Sequence, residues 1–291
     1  LISRVLGLVR DVVIANVMGT GVMADVFLFA NKIPNFLRRL FAEGAFAQAF
    51  VPVLSEFQVK DEQDAQENGK KNNHDQTRLL IAQVSGTLGV IITGVTLFGM
   101  LASPLFVMLF GFGWFVDWFN DAPGGEKFTL ASNLLSITFP YLWFISFAAL
   151  SGAILNTMGR FAVAAFTPVL LNVAIISMAI YGAPYTESPA HSLAWGVFIG
   201  GLIQFIFQIP FLYKAGMLVK PKWAWHSEGV SKIRKLIVPA LFGVSVTQIN
   251  LLLDTLIASF LITGSISWLY YADRLLEFPL GLFGIGIATV V

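Results

Sequence analysis

Cysteine is absent from the 291 residues of this chain. That excludes disulfides and every metal–thiolate centre, zinc or iron–sulfur. Histidine is nearly absent as well: His74, His191 and His226 are scattered and make no ligand cluster. Charge is scarce, at 12% of residues against 56% apolar, about half the charged share of a soluble domain. A net charge of +1 says little about partners, because where the charges sit matters more than their sum, and no nucleic-acid partner is expected. Enzyme signatures are missing too, with no GxxxxGK[ST] phosphate loop, no HExxH and no Ser-His or Cys-His arrangement. The chain starts at Leu1 without a Met and stops at Val291 inside an apolar run. It reads as trimmed at both ends, so no signal peptide can be judged.

What is present is apolar sequence in long runs, with a mean hydropathy of +0.76. Stretches of the roughly 20 residues needed to span a bilayer lie at about 3–30, 33–58, 79–111, 128–157, 161–183, 190–213, 236–262 and 267–291. The expected fold is all-α, a polytopic membrane bundle of about eight helices with the last one cut. Pro52, Pro104, Pro140, Pro168, Pro210 and Pro279 fall inside these runs and predict kinks, which suit a transporter and a kinked structural bundle equally. Lys and Arg crowd alternate loops: Lys60, Lys70, Lys71 and Arg78, then Arg160, then Lys214 through Lys235. The positive-inside rule therefore places the N-terminus and these loops in the cytoplasm. The segment 60–78 is almost free of apolar residues and reads as a loop without chemistry, His74 included. Around Trp223 and Trp225, the basic loop 218–235 fits a short interfacial helix on anionic headgroups, or simply a topology signal.

The informative residues are the charges left inside the spans. Along NKIPNFLRRLFAEG (31–44), Lys32, Asn35, Arg39 and Glu43 share one helical stripe, with Arg38 one step round. A cation at the bilayer centre costs roughly 2.5–3.5 kcal/mol on insertion scales, so such groups face a bundle interior or a wet cavity. Ser3, Arg4, Gly7, Arg10 and Asp11 make a second polar stripe on the first helix, which Gly19-Thr20-Gly21 loosens before Asp25. Asp273, Arg274 and Glu277 add a third. Local pairing of Arg4 with Asp11, Arg39 with Glu43 and Arg274 with Glu277 is allowed by helical spacing. It still leaves Arg10, Lys32 and Arg38 with only Asp25 and Asp273, a basic surplus suited to a diphosphate. Asn250 and Asp254, one turn apart, offer two oxygen ligands for a cation such as Na⁺, or a proton site, or merely a packed aspartate. Sliding the chain by 243 positions superposes Asp11, Ile14, Ala15, Thr20 and Gly21 on Asp254, Ile257, Ala258, Thr263 and Gly264, the mark of two related lobes.

SRVLGLVRD (3–11), NKIPNFLRRLFAEGAFAQAFVPVLSEF (31–57), GAILNTMGRF (152–161) and SWLYYADRLLEFPLG (267–281) resemble the MurJ/MviN lipid II flippases, within the exporter superfamily of multidrug and polysaccharide-lipid carriers. The resemblance implies a two-lobed exporter fold of fourteen helices in the bacterial inner membrane, here truncated. The first lobe would span 1–217, the basic cytoplasmic loop 218–235, and the start of the second lobe 236–291. It implies no enzymatic step, only alternating-access movement of lipid II, the undecaprenyl-diphosphate-linked peptidoglycan precursor. Membrane potential, Na⁺ or H⁺ would drive it, among membrane lipids and peptidoglycan-synthesis proteins as partners. The family's cavity residues fall on Ser3, Arg4, Arg10, Asp25, Lys32, Arg38 and Arg274, with Glu43 and Glu277 in the polar set and Asp254 similar to the aspartate of an Na⁺ site. The family favours Arg38 where helix geometry favours Arg39. Competing readings are an exporter of another lipid-linked glycan or of a drug, a non-transporting scaffold, and a polyprenyl-phosphate enzyme.

Overall fold

The computed structural model describes residues 2–39, 45–67 and 74–279. Glu43 and the side chain of Glu277 lie outside the described residues. The described chain folds into helices α1 (Ile2–Met18), α2 (Val22–Leu37), α3 (Ala45–Glu67), α4 (Asp75–Leu101), α5 (Ser103–Phe110), α6 (Phe112–Phe119), α7 (Glu126–Thr138), α8 (Pro140–Thr157), α9 (Phe161–Tyr181), α10 (Pro189–Lys214), α11 (Glu228–Ala258) and α12 (Ser265–Pro279). Asp75–Leu101, Glu126–Thr157, Phe161–Tyr181 and Pro189–Lys214 are long and apolar enough to cross a membrane. α11 is a fifth when taken as one span bent by 48° between Gly243 and Gln248.

The helices break inside the apolar runs at Gly19, before Pro104 and at Pro140. The first run, 3–30, is cut at Gly19, whose φ of +62° is cheap only for glycine and ends α1 with the Gly19 N–H donating to the Ala15 carbonyl at 2.8 Å. Asp25 and Lys32 therefore belong to α2, not to an extension of the first helix. Hydropathy is blind to this turn because the residues around it are apolar. Pro104 and Pro140 do not kink continuous helices either; each stands in the first turn of a new one, α5 and α8, where its missing N–H costs nothing. Pro52, Pro168 and Pro210 do sit inside helices.

The two ends of the 60–78 segment, 60–67 and 75–78, are helical despite their polarity. α3 runs to Glu67, and buried Asp61 reaches across to the start of α4, accepting from Gln76 N at 3.0 Å, Thr77 N at 2.9 Å and Thr77 Oγ1 at 2.6 Å. Those amides belong to the unpaired first turn of a helix, so a carboxylate there satisfies donors and the dipole together.

Beyond α10, residues 217–224 are neither helix nor strand. They lie across α4, with Lys222 N donating to the Ala82 carbonyl at 2.7 Å and Ala224 N to Thr87 Oγ1 at 3.3 Å. The crossing point is Gly86, where any Cβ would collide with the Lys222 backbone. Lys60, Lys232, Glu56 and Glu228 form an ion network at the same end, tying α3 to α11.

Apolar packing collects in two cores. One surrounds Phe27, Phe29, Trp114, Leu134 and Phe139, and the other Phe50, Leu54, Leu80, Ile154 and Leu155. Between them lies polar ground.

Candidate functional site

A cavity of about 940 Å³ opens between the two cores, walled by α1, the end of α2, α3, α8, α9, α10 and α12. A smaller one of about 190 Å³ adjoins it and shares Arg10, Arg38, Tyr141, Leu171 and Arg274. Ser3 and Arg4 of α1 meet Arg38 in the larger cavity, whereas Arg10 meets Leu28, Asn31 and Lys32 in the smaller. α1 and α2 thus run in opposite directions from the Gly19 turn.

One wall is cationic. Among the described residues, Arg4, Arg10, Arg38 and Arg274 line the larger cavity against a single carboxylate, Asp11. Asp11 is buried, and its Oδ1 accepts from Arg10 Nε at 3.0 Å, Arg10 Nη2 at 2.7 Å and the Tyr270 hydroxyl at 2.9 Å. Its Oδ2 pairs with Arg274 Nε at 3.2 Å. The remaining Arg10 nitrogen, Nη1, donates to Asn172 Oδ1 at 3.1 Å, and Asn172 in turn donates to the Ser3 carbonyl at 3.2 Å. One acid therefore holds two guanidinium groups from helices far apart in sequence.

The backbone widens to a π turn at residues 38–39, a local change of helical phase. Arg38 donates to Asn35 Oδ1 at 3.2 Å and lines both cavities, while Arg39 lines only the smaller. Lys32, Asn35, Arg39 and Asp273 line the smaller cavity as well.

The opposite wall is neutral. Gln204 Nε2 donates to the Thr167 carbonyl and Gln208 Nε2 to Thr167 Oγ1, both at 2.9 Å. The Thr167 hydroxyl proton already goes to the Val163 carbonyl at 3.0 Å, so both amides must turn nitrogen toward α9. Their carbonyl oxygens, and that of Asn156, are buried without a hydrogen-bond partner.

Asp25 stands apart. It is only 2% exposed, lines neither cavity, and accepts from Gly264 N at 2.6 Å, Ser267 N at 2.9 Å and Ser267 Oγ at 2.6 Å. It caps α12 from α2, as Asp61 caps α4 from α3. Around it, Lys127 Nζ donates to Thr263 Oγ1 at 2.7 Å, Gly113 N to Ser259 Oγ at 3.1 Å and the Tyr271 hydroxyl to the Gly19 carbonyl at 3.3 Å. These bonds close the end of the bundle away from the basic loops. Asn250 and Asp254 are exposed on α11 and line neither cavity. They supply two oxygen ligands, and among the described residues no three His, Cys, Asp or Glu side chains converge as a metal site.

Asn172 and Tyr270, which bond the arginine cluster, were not among the expected site residues, and nothing in the sequence marks Tyr270. A lone asparagine in the apolar run of α9 was the available clue.

Residues 14–291 match the family model described as lipid II flippase MurJ. Probable lipid II flippases MurJ of Haemophilus influenzae and Vibrio cholerae are 65% and 66% identical over the whole chain, which covers 55% and 53% of them. A solved structure described as lipid II flippase MurJ in an inward closed conformation is 31% identical, with a TM-score of 0.76 over 99% of this chain and 55% of that one. The chain spans about half the length of the relatives it matches. On the strength of the family match and of these relatives, the chain belongs to the lipid II flippase MurJ family.

Proposed function

We propose that the full-length protein carries lipid II from the cytoplasmic to the periplasmic leaflet of the bacterial inner membrane, with no covalent step. The observation that carries this reading is the larger cavity, where among the described residues four guanidinium groups and the Asp11 carboxylate line the space between two apolar cores. Guanidinium planes grip phosphate oxygens in pairs, so a diphosphate headgroup is the ligand class that uses this surplus. The undecaprenyl tail stays in lipid while the headgroup enters the cavity. A drug exporter selecting organic cations needs an acidic cavity, whereas the charged groups that line this one are, among the described residues, mostly arginines.

The N-terminus and the basic loops face the cytoplasm in this reading, and the end closed around Asp25 faces the periplasm. Residues 1–217 form the first lobe, 218–235 the connecting loop, and 236–291 the start of the second. The start of α2 at Val22 falls on the start of α12 at Ser265 at the same offset of 243 that superposes the sequence repeat, which supports a repeat of α1–α2 in α11–α12. Rocking of the lobes, driven by membrane potential or by Na⁺ or H⁺ at Asp254, would expose the cavity on each side in turn. Membrane lipids and peptidoglycan-synthesis proteins are the expected neighbours.

The test is depletion of the full-length protein in cells, followed by probing lipid II accessibility from the periplasm. Wild type restores accessibility, and Arg10→Ala and Arg38→Ala lower it roughly tenfold or more. Accessibility unchanged on depletion overturns the reading, and product release from lipid II by the purified protein replaces it with an enzyme.

A further inference from the structure

We propose that Asp11 is an internal counter-anion that competes with the incoming diphosphate for Arg10 and Arg274, so that seating the headgroup unties α12 from α1. The inference rests on the diphosphate reading above and names the device that makes the site reversible.

The geometry of Arg10 carries the argument. A guanidinium grips a phosphate in bidentate fashion through two neighbouring nitrogens. The Nε–Nη2 edge of Arg10 is held by Asp11 Oδ1 at 3.0 and 2.7 Å, and Nη1 is held by Asn172 at 3.1 Å. No bidentate edge of Arg10 is left to a ligand while Asp11 keeps its place. Arg274 Nε is likewise engaged by Asp11 Oδ2 at 3.2 Å, and Tyr270 of α12 donates to Oδ1 at 2.9 Å. A diphosphate offers more negative charge and more acceptor oxygens than one carboxylate, so it wins both arginines at the cost of the Asp11 bonds. Of those bonds, the pair with Arg274 bridges α1 to α12 from inside the cavity, beside the Tyr270 bond to the same carboxylate. A ligand shifts a conformational equilibrium only through such differential contacts, and the same competition keeps binding weak enough for release on the far side.

The test uses full-length protein in detergent, with inorganic pyrophosphate as the probe and spin labels on Val12→Cys of α1 and Leu276→Cys of α12, both exposed positions. In the wild-type background, pyrophosphate should shift the α1–α12 distance distribution. In Asp11→Asn, the distribution should already be shifted without ligand and pyrophosphate should bind roughly fivefold tighter or more, while Asp11→Glu should restore the ligand response. A wild-type distance that pyrophosphate saturates without moving overturns the proposal, even if Asp11→Asn fails to fold. So does an Asp11→Asn protein that binds more tightly with the wild-type distance, or one that binds more weakly. Pyrophosphate affinity unaffected by Arg10→Ala and Arg38→Ala instead removes the diphosphate site itself, a separate failure.

Discussion

Asp11 and Asp25 are both buried carboxylates that join the first helices to α12, yet their surroundings differ in kind. Asp25 meets two backbone amides and a hydroxyl, all neutral, fixed and away from any cavity. Asp11 meets two guanidinium groups on the wall of a 940 Å³ cavity. Neutral, immobile donors make a carboxylate part of the scaffold, because nothing else can reach them. Charged donors on flexible stems, beside a space that admits another anion, make it exchangeable.

The comparison can be broken most forcefully at Asp25. Asp25→Ala leaves the first turn of α12 without its acceptor and should destabilise the full-length protein by about 3 kcal/mol, read as a lower thermal midpoint in detergent, with pyrophosphate affinity unchanged. Loss of affinity without loss of stability would place Asp25 in the ligand site after all. A smaller cost, about 1–2 kcal/mol, is expected for Asp11→Asn, since the amide oxygen still accepts from Arg10. Its more telling result is accessible lipid II falling in cells while pyrophosphate affinity rises. Lys127→Met tests the closed end independently of both aspartates. It removes the bond to Thr263 and the ammonium 6.0 Å from the Trp114 ring, for about 1 kcal/mol. Least should follow from Glu56→Gln, because its pairs with Lys60 and Lys232 lie in water, where salt screens them. The thermal midpoint should not move measurably, and a clear drop would make the α3–α11 network a structural lock.

Much of the fold was legible because a bilayer demands long apolar helices and tolerates charge only where it is sheltered. On that ground Arg4, Arg10, Lys32, Arg38, Arg39 and Arg274 stand out together as the cations inside the spans. The glycines at 19 and 21 marked a loosened helix, but not that the helix ends there, since a left-handed residue in apolar sequence leaves no mark in hydropathy. Nor was the partner of Asp11 legible: spacing within α1 pointed to Arg4, whereas Arg10 takes the near edge and Arg274 arrives from α12. Asp25 carries the same residue type as Asp11, so only its distance from the cavity, a tertiary fact, separates the two roles. Helical phase favours Arg39, yet Arg38 is the one that lines both cavities, because the π turn at 38–39 alters that phase.

The strap at 217–224 that crosses α4 at Gly86 gives α11 a fulcrum. Tethered there by the Lys222 amide, a swing of α11 must either pivot on that glycine or drag α4 with it. A single added methyl at position 86 would lift the strap off its bearing, turning a lever into a loose rope.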